Sequence, residues 1–186
     1  GSNNVAIGYQ ALSAEDEHGT NVAVGSQALR SLNAGANGLN TAVGNQAGYN
    51  STTGIENVLV GAAAGYALTS GNYNVAIGRK ALMAEDAHGK NVAIGYNALT
   101  TLDAGADAYN VAVGFEAGKL MSTGLYNTLI GAYAGDSIAS GQYNVAIGYN
   151  ALAGEDAHGR NIAIGTNALA VQDAGADAYN IAIGHN

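Results

Sequence analysis

Residues 74–81, Asn-Val-Ala-Ile-Gly-Arg-Lys-Ala, contain the pattern that decides the fold. Its first five positions recur as Asn-(Val/Ile/Thr)-(Ala/Leu)-(Ile/Val)-Gly in eleven copies, which begin at Asn4, Asn21, Asn40, Asn57, Asn74, Asn91, Asn110, Asn127, Asn144, Asn161 and Asn180. An alanine stands seven residues after each of the first ten asparagines. A fixed period of this kind is typical of a repeat protein whose units pack on their neighbours.

The spacings between copies run seventeen, nineteen, seventeen and seventeen, and the same series starts again at Asn74 and at Asn144. Four unlike units therefore form a super-repeat of seventy residues, which we call a block. We expect one repeat domain over 4–186, made of the blocks 4–73, 74–143 and a partial block 144–186, with no linker. Residues 1–3 are interpreted as a cap or the remnant of an expression tag. The partial third block suggests a piece of a longer fibre.

Each unit has the pattern of a short β-strand. Val75-Ala76-Ile77 alternates β-branched and small side chains, and Gly78 ends the strand. The Ala81-Leu82 pair predicts a second short strand after this turn, and the frequent glycines oppose a helix. The fold class predicted is all-β: a parallel β-solenoid of eleven rungs, roughly 50 Å long at about 4.8 Å per rung.

Alternation along the strand predicts which side chains lie inside the roll. We expect the large residues to form the core, namely Val75, Ile77, Val92, Ile94, Val111, Val113, Val145 and Ile147. The stripe of Asn74, Ala76 and Gly78 is then outward, where small side chains would let a second copy approach. This predicts self-association around a rotational axis; the alternative is a monomer with a solvent-exposed alanine stripe.

The composition excludes several functions. Ala, Gly and Asn supply 38, 28 and 21 of the 186 residues, and Cys and Trp are absent. The net charge of −8 disfavours nucleic-acid binding, which needs clustered Lys and Arg. No apolar run is long enough to predict a membrane-spanning helix. Neither a Ser-His-Asp order nor a phosphate-binding glycine loop is present, so no catalytic residue is predicted.

The Asn-Val-Ala-Ile-Gly-x-x-Ala motif, as at 74–81 and 144–151, resembles the β-roll repeats of YadA-like trimeric autotransporter adhesin heads and of phage tail fibres. The resemblance covers essentially the whole chain. It implies a homotrimer, a left-handed parallel roll and attachment to a host surface without catalysis. The rungs of this chain are longer than the adhesin repeats, and the leucines at Leu82 and Leu99 are closer to the tail-fibre pattern.

Eleven of the 14 acidic residues lie in the loops that end the first and second rungs of each block. Stacking of these loops would bring together Glu, Asp and His side chains, which could bind Ca²⁺ or, through His, a transition metal. The predicted groups are Glu85, Asp86, His88, Asp103 and Asp107, and Glu155, Asp156, His158, Asp173 and Asp177. The spacing matches no established metal loop, so a solvated acidic face, with no cofactor, is the alternative. A glycosidase interpretation is disfavoured because nothing predicts a cleft.

Tyrosines recur just before the rungs and form the other candidate recognition element. Tyr73, Tyr109, Tyr143 and Tyr179 could stack on glycans, or could instead cover the roll edge or pack between subunits. The first functional hypothesis is thus an extracellular, adhesive fibre segment of a virion or bacterial surface, which contacts a glycan or protein receptor. The second is a ligand-binding solenoid that uses calcium and glycans. An ice-binding solenoid ranks last, since it needs a ladder of outward Thr.

Overall fold

The computed structural model describes residues 2–15, 19–35, 37–154, 157–173 and 175–186, and the described chain is a β-solenoid. Each rung contributes one short strand: β1 Val5–Ile7, β2 Val22–Val24, β3 Thr41–Val43, β4 Val58–Val60, β5 Val75–Ile77, β6 Val92–Ile94, β7 Val111–Val113, β8 Thr128–Ile130, β9 Val145–Ile147, β10 Ile162–Ile164 and β11 Ile181–Ile183. Among the described residues, no helix could span a membrane.

The eleven strands form one parallel sheet in chain order, so the predicted fold class is confirmed. Each strand pairs with the next without a shift, as in Val75 with Val92, Ala76 with Ala93 and Ile77 with Ile94. Equivalent residues therefore form straight columns along the solenoid, and a property of one rung is repeated at every level.

The predicted core assignment is wrong, because the two faces of the strand are exchanged. Ala76 and Asn74 are fully buried, whereas Ile77 is 37% exposed. All of the residues predicted as core lie on the outward face, half-buried or exposed: Val75, Ile77, Val92, Ile94, Val111, Val113, Val145 and Ile147. The stripe of small residues that was predicted to face a second copy of the chain lies in the interior instead.

A narrow interior explains this exchange. The alanine column of the strands is buried together with a second alanine column, represented by Ala81, and with leucines such as Leu82. A roll closed by two walls so close together has room for a methyl group on one wall and a leucine on the other. β-Branched pairs at every level would overfill it, which costs about 1–3 kcal/mol per overpacked site.

The predicted second strand at Ala81-Leu82 is not formed. Consecutive turns take its place, with Lys80 and Leu82 in the left-handed region at φ of 59° and 50°. The backbone N–H groups of these two residues therefore point in opposite directions along the solenoid. The Lys80 N–H donates to Ala62 O of the preceding rung at 2.9 Å, and the Leu82 N–H donates to Ala98 O of the following rung at 3.0 Å.

Core volume is conserved by an exchange between the two walls. β4 has Leu59 at its centre instead of Ala, and Gly48 and Gly65 replace leucine in the turn segments of the third and fourth rungs. A Cβ on either glycine would approach Leu59 side-chain carbons to 2.8 Å. Leu129 with Gly118 and Gly135 repeats the arrangement. This exchange explains why the structural repeat is a block of four rungs rather than a single rung.

Leu59→Ala should test this volume exchange. With glycine on the opposite wall, nothing nearby can fill the cavity, and the free energy of unfolding should fall by about 2–5 kcal/mol. Urea unfolding of this variant is to be compared with that of Val60→Ala on the outward face, for which we expect a smaller loss. An equal or greater loss for Val60→Ala would contradict the assignment of the two faces.

Candidate functional site

The outward face of the sheet is apolar along its whole length. Twenty of its twenty-two strand positions are Val or Ile, and the other two are Thr41 and Thr128. We call these outward columns the Val/Ile face. Members such as Val43, Val58, Ile77 and Ile130 are 37–39% exposed, and the terminal strands are more exposed. None of these strand positions carries a charge.

An inward-facing acid lies at the centre of the predicted metal site. Glu85 is fully buried and stands eleven residues after Asn74. Five equivalent positions of other rungs form a column of buried apolar residues, namely Leu32, Leu68, Leu102, Met121 and Ile138, whereas Glu15, Ser51, Glu155 and Gln172 occupy the remaining four. Glu85 therefore replaces a core residue, with Leu68 one rung before it and Leu102 one rung after it.

Four of the five residues predicted for this site come together. Ligand atoms of Glu85, Asp86, His88 and Asp103 all lie within 4.8 Å of one another, and we call this group the acidic cluster. The Glu85 carboxylate accepts backbone N–H groups from His88 at 3.2 Å and from Ala104 at 3.4 Å. His88 Nδ1 lies 3.5 Å from Glu85 Oε1. Three carboxylates and one imidazole are a ligand set that a divalent cation could use.

Burial raises the pKa of Glu85, because the core column removes its carboxylate from water. The two backbone N–H donors and the nearby His88 oppose this change, whereas the negative charge of Asp103 adds to it. Ionisation of Glu85 is consequently less favourable in the folded chain than in the unfolded chain. A proton or a bound cation would offset this cost.

Asp107 does not belong to the acidic cluster. Its Oδ2 lies 2.7 Å from Lys90 Nζ, and its Oδ1 accepts the Gly89 N–H at 3.0 Å. The hydrogen bond from Lys90 is the main cause of the lowered pKa of Asp107. Because Asp107 pairs with Lys90, it is not part of the set of metal ligands that the sequence predicted.

The second predicted metal group is described only in part. Glu155 and Asp156 lie outside the described residues, and the structure describes His158, Asp173 and Asp177. Asp177 repeats the behaviour of Asp107, since it accepts the Gly159 N–H at 2.9 Å and pairs with Arg160 Nε at 3.0 Å. Sequence reasoning missed that the first acid of each first-rung loop, as at Glu85, shares the register of the core column, although its spacing of eleven residues from the rung asparagine carries that signal.

The predicted tyrosines lie in one column that precedes the strands. Tyr109 stacks on Tyr126 with centroids 5.5 Å apart, and Tyr126 stacks on Tyr143 at 5.0 Å. Lys90 Nζ lies 5.1 Å from the Tyr109 ring, and the Arg160 guanidinium lies 5.4 Å from the Tyr143 ring. Tyr126 covers one ring face of each of Tyr109 and Tyr143, and the Arg160 guanidinium covers the other face of Tyr143. Lys90 instead donates to the Tyr109 hydroxyl at 3.0 Å. A sugar could therefore reach Tyr143 only at its edge and hydroxyl.

Tyr179 and Tyr73 complete this tyrosine column, at 65% and 50% exposure. The Arg160 guanidinium lies 5.6 Å from the Tyr179 ring and so is placed between two tyrosines. Tyr73 precedes Lys90 by one rung.

Comparison of the chain with family models, curated proteins and solved structures gave no match.

Glu85→Gln should stabilise the protein in a pH-dependent way. Because the folded-state pKa of Glu85 is raised, its favourable contribution is present below the unfolded pKa and is lost as pH rises through the folded pKa. At pH 7, thermal melting should show the variant at least about 2 °C more stable than the parent. Near pH 4 the difference should vanish. A variant less stable than the parent at pH 7 would contradict the cost assigned to ionised Glu85.

Calcium provides a test of the acidic cluster as a cation site. We expect calcium chloride and sodium chloride at equal ionic strength to give the same gradual change in melting temperature, since two backbone N–H groups already bind the Glu85 carboxylate. Asp103→Asn and Asp107→Asn each remove one charge, but only Asp103 lies in the cluster. A saturating calcium response that Asp103→Asn abolishes and Asp107→Asn retains would overturn this expectation.

Proposed function

We propose that this chain is a structural and adhesive segment of an extracellular fibre, on a virion tail or a bacterial surface, and that it self-associates through the Val/Ile face. A trimer is the assembly that the resemblance to adhesin heads and tail fibres implies. The segment would hold or contribute to a host-attachment surface and would perform no catalysis. The observation that supports this proposal is the exposure of a charge-free face, made of Val and Ile at all but two strand positions, along eleven stacked rungs.

The Val/Ile face has the properties of a buried interface. A soluble monomer rarely exposes an apolar patch of more than a few hundred Å², and larger patches mark association sites. Solvent exposure of this face would also favour uncontrolled aggregation, because no lysine or other charge in the strands protects it. Association of the face is therefore the simplest account of its composition.

A second copy of the chain fits this face better than an unrelated partner. The apolar rows repeat at the rung spacing over the full length of the sheet, so a partner must present the same period to match them. Another solenoid of the same sequence does so at every level. Rotational symmetry would let each copy use the same face and would close the assembly, which limits its growth.

The proposed attachment role relies on repetition rather than on a cleft. A rod that repeats its surface with every block can present several weak contacts at once, and such contacts combine into a strong one. The alternative proposal is a ligand-binding solenoid in which the acidic cluster takes calcium and the tyrosine column contacts glycans. The calcium experiment above separates the cation part of this alternative from the fibre role.

The double variant Ile77→Asp, Ile94→Asp should convert the protein to a monomer. Both residues lie on the Val/Ile face of adjacent rungs, where a charge would be buried without a partner in an assembly but solvated on a single chain. We expect sedimentation equilibrium to give more than 18.5 kDa for the parent and about one chain mass for the variant. The far-UV circular dichroism spectrum of the variant should remain that of the parent.

Leu120→Asp and Val171→Asp are the matched controls. These two apolar residues are 51% and 96% exposed but lie outside the sheet. Both control variants should sediment like the parent. A parent that is monomeric at micromolar concentration, or a double variant that keeps the parent mass while folded, would refute association through the Val/Ile face.

A further inference from the structure

A polar pocket lies beside the tyrosine column, on the loops that precede β9, β10 and β11. Its volume is about 230 Å³, and it is lined by Ser140, Gln142, Tyr143, Ala157, Arg160 and Asp177. Arg160 is held from two sides: its ring contacts place it between Tyr143 and Tyr179, and its Nε donates to Asp177 Oδ2 at 3.0 Å. The guanidinium and the carboxylate are thus fixed before any ligand arrives.

The same residue types recur in the middle block. One block earlier in the sequence stand Ser70, Asn72, Tyr73, Ala87, Lys90 and Asp107. Lys90 Nζ lies 2.7 Å from Asp107 Oδ2, and the backbone N–H groups of Gly89 and Gly159 donate to Asp107 and Asp177 in the same way. The first block differs, since Thr20 and Asn37 occupy the positions of the cation and the carboxylate.

We propose that each of these two sets of residues, one around Arg160 and Asp177 and one around Lys90 and Asp107, is a binding site for one neutral sugar ring. Each combines a carboxylate that accepts hydroxyl hydrogens with a cation and an amide that donate to hydroxyl oxygens, so vicinal hydroxyl groups can be bound from both sides. In its attachment role this site rests on the proposed fibre function. The binding itself is a property of the single chain.

The chemistry of the pocket selects among ligand classes. The lining side chains are mostly polar, which disfavours an apolar ligand. The cation already has a carboxylate partner on a chain of net charge −8, which disfavours an anion. The volume is below the roughly 300–1,000 Å³ of typical small-molecule pockets, which favours one ring over a larger ligand. An uncharged pyranose satisfies all three conditions.

The charge pairs should hold this arrangement over a wide pH range. The Asp107 partner raises the pKa of Lys90 further above its ordinary value. The pKa values of Asp107 and Asp177 are lowered, for Asp107 mainly by Lys90 and for Asp177 mainly by the Gly159 N–H. Lys90 and the two carboxylates therefore stay charged at neutral pH, so their roles as hydrogen-bond donor and acceptors are fixed there.

Two sites four rungs apart would act together. At about 4.8 Å per rung their separation is about 19 Å along the solenoid. Each site alone should be weak, with a dissociation constant on the order of 1 mM for a monosaccharide. Repetition along the rod and around an oligomer would supply the avidity that attachment needs.

The test is a titration of the ¹⁵N-labelled full chain with methyl β-galactopyranoside, methyl β-glucopyranoside and methyl N-acetyl-β-glucosaminide, with glucuronate and inorganic phosphate as charged probes. We expect at least one neutral sugar to shift the Arg160 Nε–H resonance in a saturable way. Gln142→Ala should weaken that response about tenfold. Gln142→Ala with Asn72→Ala should weaken binding at both sites to a similar extent.

Arg79 supplies the internal control. Its guanidinium lies 5.6 Å from the Tyr96 ring and donates to the Tyr96 hydroxyl at 3.2 Å, outside the two proposed sites. Its Nε–H resonance should not shift. The inference is overturned if no neutral sugar shifts Arg160, if Arg79 shifts equally, or if glucuronate or phosphate binds more tightly than every neutral sugar.

The same titration on Ile77→Asp, Ile94→Asp separates this inference from the proposed fibre function. Sugar binding that persists on this monomeric variant supports the site independently of assembly. An oligomeric parent that binds no neutral sugar would refute the sugar site and leave the assembly proposal standing.

Discussion

A hydrogen-bonded column of asparagines connects every rung of this solenoid to the next. In ten successive steps the side-chain oxygen of one rung asparagine accepts the backbone N–H of the next, at 2.8–3.2 Å. The amide nitrogens of Asn40, Asn57, Asn110 and Asn127 donate to the carbonyl of the glycine fourteen residues later, at 2.8–2.9 Å. Leaving a buried amide unpaired costs about 1–3 kcal/mol, so these side chains must point inward, where their partners lie.

The direction of the asparagines determines the rest of the cross-section. Because side chains alternate along a strand, an inward Asn74 places Ala76 inside and Val75 and Ile77 outside. Gly95 follows strand β6, and its backbone lies very close to the next rung. A Cβ added to Gly95 would lie only 2.1 Å from Gly114 O. The apolar side chains excluded from the interior form the Val/Ile face, so a local hydrogen-bonding requirement creates the surface through which we propose that the fibre assembles.

Departures from the repeat lie in the turn segments and loops, apart from the leucines at the centres of β4 and β8 and the threonines that begin β3 and β8. Leu59 exchanges volume with Gly48 and Gly65 inside the roll, and Glu85 replaces an apolar residue of a core column next to the acidic loops. The loops also place Arg160 beside Asp177. A regular scaffold thus fixes the backbone, and the unlike side chains within each block give different rungs different chemistry.

The sequence by itself determined the rung period, the position of the first strand in each rung and the parallel stacking, because the eleven Asn-to-Gly motifs repeat without exception. It also brought Glu85, Asp86, His88 and Asp103 to neighbouring loops. Only the tertiary structure decided which face of the strand is inside, since alternation is equally compatible with Val75 or Ala76 in the core. That choice depends on the width of the closed roll and on the carbonyls that meet the asparagine amides. The pairing of Asp107 with Lys90 rather than with the acidic cluster likewise depends on loop geometry that no local pattern encodes.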